Sequence, residues 1–295
     1  MTLPREVVPG RFYMVTRRCT QRQFLLRPDK ETNNTFIYCL AEAAQRFGID
    51  ILLPIAMANH HHTLIYDRHG TVPAFTEHFH KMLAKSQNAL RGRWENFWSS
   101  EQVCVVRLVD TADVMRKLVY AATNPVKDRL VERTHHWPGV NGLSALLGQR
   151  PLHATRPRHF FRLNGSMPEA VTLKLVLPPE LGDPEQIRDE LRQRVAAEEA
   201  TIAAERRRIG AGVLGRRAIL RQSWRDSPAS REPRRNLRPR IAARSPWARV
   251  EAILRNREFL TAYREARARW IAGDPIPFPI GTYWLRRFAQ VPLAN

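Results

Sequence analysis

The chain has 295 residues, enough for one large domain or two with a sizeable core. It carries 48 basic against 28 acidic side chains, a formal charge of +20 with a pI near 11.1, which favours polyanions and above all nucleic acid. No apolar run approaches the ~18 residues of a membrane span, and three cysteines (Cys19, Cys39, Cys104) form neither a disulfide framework nor a paired-cysteine metal motif.

The charge is unevenly spread: net +7 over residues 1–150, −1 over 151–200 and +14 over 201–295, where every basic residue is arginine. Arginine grips phosphate with two parallel hydrogen bonds and stacks on bases, which lysine does not. Met1-Thr2-Leu3-Pro4-Arg5 shows no signal-peptide apolar segment, so the reading expects a cytoplasmic, nucleoid-associated protein with no membrane partner.

In chain order, Phe12-Tyr13-Met14-Val15-Thr16 is aromatic and β-branched and predicts a first strand. A polar turn with Arg17, Arg18 and Arg22 follows. Pro28-Asp29 opens a helix whose Phe36, Ile37, Leu40, Ala44 and Phe47 share one face, and Gly48 ends it. Residues 49–56 predict a second strand and the segment through Tyr66 a third, with a hairpin turn near Ala58-Asn59. Phe79, Met82, Leu83, Ser86 and Leu90 predict a helix over 75–91. Val103–Val109 predicts a fourth strand, and Asp110 or Thr111 caps a helix that stops at Asn124-Pro125. The order strand, helix, strand, strand, helix, strand, helix predicts an α+β fold: a ferredoxin-like split βαβ antiparallel sheet with its helices on one face.

Past residue 140 the character changes. A short β segment, Val171–Leu177, precedes a long charged helix at 184–208. Residues 224–246 place four prolines among closely spaced arginines, including Arg231, Arg234, Arg235, Arg238, Arg240 and Arg244, and predict a basic arm. A last helix covers 247–271. The reading therefore divides the chain into 1–140, 141–223, 224–246 and 247–295, the last three forming a mainly helical, arginine-rich extension.

The stretch Met57-Ala58-Asn59-His60-His61-His62-Thr63-Leu64-Ile65 carries the chemistry. In a strand, side chains two apart share a face, so His60 and His62 project together while His61 points the other way. Two adjacent imidazoles make half of a divalent-metal site. A satisfied structural role for the histidine run is the alternative.

Four segments in this order resemble one family. They are the strand at Phe12–Thr16 with its arginine-rich turn, the Met57–Ile65 histidine signature, Asn88 with Gly92 and Phe97-Trp98, and Tyr120 just before Asn124-Pro125-Val126. Over residues 10–135 the sequence resembles the HUH-type transposases, in the REP-associated tyrosine transposase branch. The resemblance implies a split βαβ sheet whose histidine pair holds Mg²⁺ or Mn²⁺, with Gln87 or Asn88 as third ligand. It implies single-stranded or hairpin DNA as partner, a homodimer as one assembly, and a tyrosine that attacks the scissile phosphate to leave a 5′-phosphotyrosine.

On this reading the tyrosine falls at position 83, which is leucine. Three functions follow. The first is a domesticated or impaired transposase-like DNA-binding protein, with Arg17, Arg18, Arg22, Arg234, Arg235 and Arg238 on phosphates and Trp94, Phe97 or Trp98 on bases. The second is an active single-strand endonuclease or transposase with Tyr66 or Tyr120 as a relocated nucleophile. The third is a metal nuclease that activates water.

Overall fold

The computed structural model describes residues 4–230 and 239–294, so Arg231, Arg234, Arg235 and Arg238 lie outside the described residues. Strand β1 (Arg11–Arg18) leads through a 3₁₀ turn at Thr20–Arg22 to α1 (Lys30–Phe47). The Asp29 side chain accepts from Thr32 N at the start of α1, and Gly48 ends the helix at φ +65. A Cβ at Gly48 would stand 2.6 Å from the exposed His69 ring, which can swing aside, so it is the left-handed backbone that favours glycine there. Strands β2 (Ile49–Ala56) and β3 (His60–Asp67) form the expected hairpin, followed by α2 (Val72–Arg91). The buried Asp67 carboxylate accepts from Thr71 N and Val72 N, both at 2.9 Å, and so holds the start of α2. Strand β4 (Cys104–Leu108) and α3 (Thr111–Lys127) complete the first part, with Asp110 and Asp113 forming a capping box.

The expected stop at Asn124-Pro125 does not hold, because α3 continues through Pro125 to Lys127. Proline removes one helical hydrogen bond. Here Ala121, Ala122, Asn124, Pro125 and Val126 are all buried, and Leu130 N bonds the Pro125 carbonyl at 3.0 Å, so packing outweighs that loss.

The main sheet runs β2-β3-β1-β4-β7, antiparallel except that β7 (Ile241–Ala242) lies parallel to β4. The α+β class and the antiparallel sheet are as the sequence predicts. The helices, however, occupy both faces rather than one. Tyr13, Val15 and Ile65 pack under α1 and α2 with Phe36, Phe75, Phe79 and Leu83. Met14, Leu64, Tyr66 and Val106 face the other way and pack under α3 with Val114, Leu118 and Ala121. A register shift between Ile51 and Leu53 turns both Leu52 and Leu53 toward α3.

Residues beyond 140 thicken both layers. The β5–β6 hairpin (Leu152–Thr155, Ala170–Leu173) packs on α1, while α4 (Leu143–Leu147), α5 (Pro184–Arg208) and α6 (Arg216–Arg221) join the α3 side. The sequence predicts the helix at 184–208 but neither α4 nor α6, and it does not place them on the second face. The second face fills because β2, β3 and β4 carry apolar side chains on both sides and must bury both. Helix α7 (Pro246–Ile271) buries only Ala252, Phe259 and Ala266, and α8 (Trp284–Ala289) closes a small cluster around Phe278. Among the described residues no helix is long and apolar enough to cross a membrane.

Candidate active site

Strand alternation sorts the three histidines as predicted. Pairing of β1 with β3 sets Thr16 opposite His62, Arg17 opposite His61 and Arg18 opposite His60. His60 and His62 stand side by side on the α3 face, ring centroids 5.0 Å apart. His61 points to the α1/α2 face and is fully buried there.

On the α3 face each of the two imidazoles is held through Nδ1. His60 Nδ1 donates to Asn59 Oδ1 at 2.7 Å, which makes Nε2 the nitrogen that carries the lone pair of the neutral ring. His62 Nδ1 lies 2.7 Å from Thr16 Oγ1. This is the outer support typical of metal-ligating histidines, because it fixes ring orientation and tautomer. Burial holds His62 well below its ordinary pKa, and His60, His61, Lys117 and Arg18 push it further the same way, so it is neutral near pH 7.

Tyr120 comes to this pair from α3. Its ring centroid lies 5.6 Å from that of His62, edge to face. Lys117 Nζ and Lys127 Nζ lie 5.1 and 5.3 Å from the Tyr120 ring centroid. Two ammonium groups at this ring attract a neighbouring phosphate. One turn on, on the same helix face, Asn124 is buried with its Oδ1 lacking any hydrogen-bond partner. A buried amide oxygen left unpaired is costly and asks for a ligand. The sequence marks Asn124 as part of the segment after Tyr120 and as a helix stop, with no sign that it serves as a ligand.

The expected third ligand and the expected tyrosine position both fall elsewhere. Gln87 and Leu83 sit on α2, fully buried, on the sheet face opposite His60 and His62. Gln87 Oε1 accepts from Thr32 Oγ1 on α1 at 3.3 Å, and Leu83 packs in the α1/α2 core. Neither reaches the histidine pair across the sheet. Asn88 instead braces the loop after α2, donating through Nδ2 to Glu95 O. A tyrosine at position 83 would be a core residue.

Tyr66 shares the face of His62 but lies four residues along β3, about 13 Å away at strand rise. Its hydroxyl donates to Glu180, and its ring packs on Phe12. Burial and that carboxylate push its pKa up to about 12, which suits a structural phenol better than a nucleophile. Ser86 is also fully buried, with His159 Nε2 at 3.0 Å from its hydroxyl. Among the arginines, Arg18 lies on the His60/His62 side of β1, Arg17 lies over Trp98 on the other side, and Arg22 donates to Ser230 O.

Among the described residues no group of three or more His, Cys, Asp and Glu side chains is placed to hold a metal ion. Two imidazoles and an amide oxygen nonetheless offer donors to a divalent cation, and the two nitrogens suit Mn²⁺ better than the harder Mg²⁺, which prefers oxygen.

No family model matches the chain, and no curated protein matches it. Among solved structures it is similar to a REP-associated tyrosine transposase bound to a REP hairpin, at 15% identity and a TM-score of 0.43, over 56% of this chain and 91% of that one. It is also similar to a candidate transposase from Deinococcus radiodurans R1, at 17% identity and a TM-score of 0.30, over 40% of this chain and 93% of that one.

Proposed function

We propose that this protein cuts and rejoins single-stranded DNA with Tyr120 as the nucleophile, on the sheet face that carries His60 and His62. The observation that carries this reading is the approach of Tyr120 to His62 from α3, with Lys117 and Lys127 beside its ring. The Tyr120 oxygen attacks phosphorus and the phenolic proton is lost. The bond from phosphorus to the 3′ oxygen breaks, and that oxygen takes up a proton. A 5′-phosphotyrosine and a free 3′-hydroxyl result, and the reverse attack rejoins the strand without an external energy source.

His60, His62 and Asn124 are the residues that would hold a Mg²⁺ or Mn²⁺ ion, which supplies Lewis-acid polarisation of the phosphate when bound. Lys117 is half-buried, and burial together with Arg116 lowers its pKa. It faces Tyr120 as a short-range positive charge in a partly dry setting. This reading stands in place of impaired cleavage, because the premise of impairment was a tyrosine at position 83, and Leu83 lies beneath the other face.

The test is a labelled single-stranded hairpin oligonucleotide incubated with Mn²⁺ and run on a denaturing protein gel. A covalent adduct is expected for the native chain and none for Tyr120→Phe, with at least a ~10³-fold loss of cleavage. Cut DNA without an adduct would instead assign a water-activated nuclease.

A further inference from the structure

Three aromatic residues follow α2, and they part company. Phe97 and Trp98 are buried in the α1/α2 core, whereas Trp94 is 90% exposed. An indole left in water is unusual for a residue whose only role is packing. Its chain neighbour Arg93 reaches the half-buried Trp224, which is ringed by guanidinium groups: Arg91, Arg93 and Arg225 lie 5.9, 5.8 and 4.9 Å from its centroid. Arg91 is neutralised by Asp29 at 3.0 Å. Among the described residues Arg93 donates only to the Gln23 amide oxygen at 3.2 Å, and its buried Nε has no hydrogen-bond partner. The neighbouring Asp226 carboxylate is turned back to accept from Ser223 N, and no carboxylate among the described residues pairs with Arg225.

This surface is anchored at the histidine end of the sheet. Phe24 N donates to Asp226 O at 2.9 Å and Arg27 to Leu220 O at 2.7 Å, so the segment carrying Trp224 is strapped to the loop after β1. The same loop reaches the histidine turn, where Leu26 N donates to Ala58 O and Asn59 Nδ2 to Arg22 O. Asn59 is also the residue that orients His60. One loop therefore contacts the segment carrying Trp224, Arg93 through Gln23, and the turn before His60.

We propose that Trp94, Arg93, Arg225 and the open edge of Trp224 form a stacking platform for single-stranded DNA beside the histidine end of the sheet. An unpaired base offers its face to Trp94 while flanking phosphates meet Arg93 and Arg225. A duplex hides its base faces and cannot use the indole. The proposal shares with the cleavage reading only its choice of DNA as partner and needs nothing from Tyr120.

The experiment uses the full chain in EDTA, so that binding is read apart from cleavage, with a fluorescent oligothymidine of about 12 nucleotides followed by anisotropy. Trp94→Ala is expected to weaken binding about tenfold and Trp94→Phe to restore most of it, while a blunt duplex of equal length changes by less than about twofold. The pair Arg93→Gln/Arg225→Gln should lower the slope of log affinity against log salt by about 1.4. Trp94 supports no core, so a failure to fold does not confuse the result. Unchanged affinity in Trp94→Ala, or an equal loss on duplex, overturns the platform. Tighter binding of oligouridine than of oligothymidine overturns the choice of DNA. Loss of the adduct in the cleavage assay leaves this contrast standing, and loss of the contrast leaves the adduct assay standing.

Discussion

On one face of the sheet His61 is sealed beneath α1 and α2, with Phe36, Phe79 and Trp98 edge-on to its ring and His80 Nε2 2.9 Å from its own Nε2. On the other face, one residue away in either direction, His60 and His62 stand beside Tyr120 and two lysines. Burial drives the His61 pKa down to about 3, and its neighbour His80 also lies well below the usual value, so this pair stays neutral and serves packing. Identical side chains on adjacent residues meet opposite surroundings because a strand alternates and because different helices cover the two faces.

The largest expected effect separates the two faces directly. His62→Ala should remove metal-dependent cleavage by at least ~10³-fold at a stability cost of only about 1 kcal/mol in urea unfolding, read by adduct formation and circular dichroism. A retained adduct would return His62 to a structural role. A sharper form places the tyrosine on the dry side. Leu83→Tyr in a Tyr120→Phe background should restore no adduct at all, since a phenol there lies under α2, and it should cost about 2 kcal/mol through overpacking. Recovery of the adduct would mean that α2 rather than α3 presents the nucleophile.

His61→Ala should act in the opposite sense. It empties a buried site and leaves His80 without its ring partner, an expected loss of about 3 kcal/mol in urea unfolding, with cleavage per folded molecule kept within about twofold. A large loss of cleavage with unchanged stability would bring His61 into the chemistry.

The smallest effect concerns the clamp that closes the dry side. Glu42 on α1 accepts from His78 on α2 at 2.6 Å and from Arg46 within its own helix. Burial alone would raise the Glu42 pKa, but His78 and Arg46 outweigh it, and the net direction is down. Its stabilising contribution is therefore complete above the unfolded carboxylate pKa of about 4.3 and is lost as pH falls through the lower folded value. Glu42→Gln should cost about 1 kcal/mol at pH 7 and flatten the acid limb of the stability curve, measured by urea melts from pH 3 to 7. An unchanged acid limb would show that the clamp contributes nothing.

Local patterning was enough for most of the first half of the fold. The alternation at Tyr13-Met14-Val15 and at His60–Asp67 predicted strands that the structure contains, as did the apolar spacing of α1 and the glycine at position 48. The histidine split across two faces followed from the same period of two. The long charged helix at 184–208 was equally legible, because an uninterrupted run of good helix formers after Asp183-Pro184 has a clear start signal.

The site was only half legible. Leu83, Gln87, Tyr120 and Asn124 all lie on amphipathic helices, and periodicity says which residues of a helix are inside without saying which sheet face the helix covers. That choice is made by where α2 and α3 cross the sheet, so α3 brings Tyr120 to His62 while α2 carries Leu83 and Gln87 to the far side. Pro125 misled for a related reason, since the proline rule is local while the burial that overrides it is not. By itself the sequence determined the strands, the main helices, the basic charge and the pairing of His60 with His62, all of which depend on neighbours a few residues apart. Only the tertiary structure decided that the sheet is covered on both faces, that Tyr120 and not position 83 meets the histidines, and that Trp94 stays in water, because each of these is set by contacts between residues far apart in the chain.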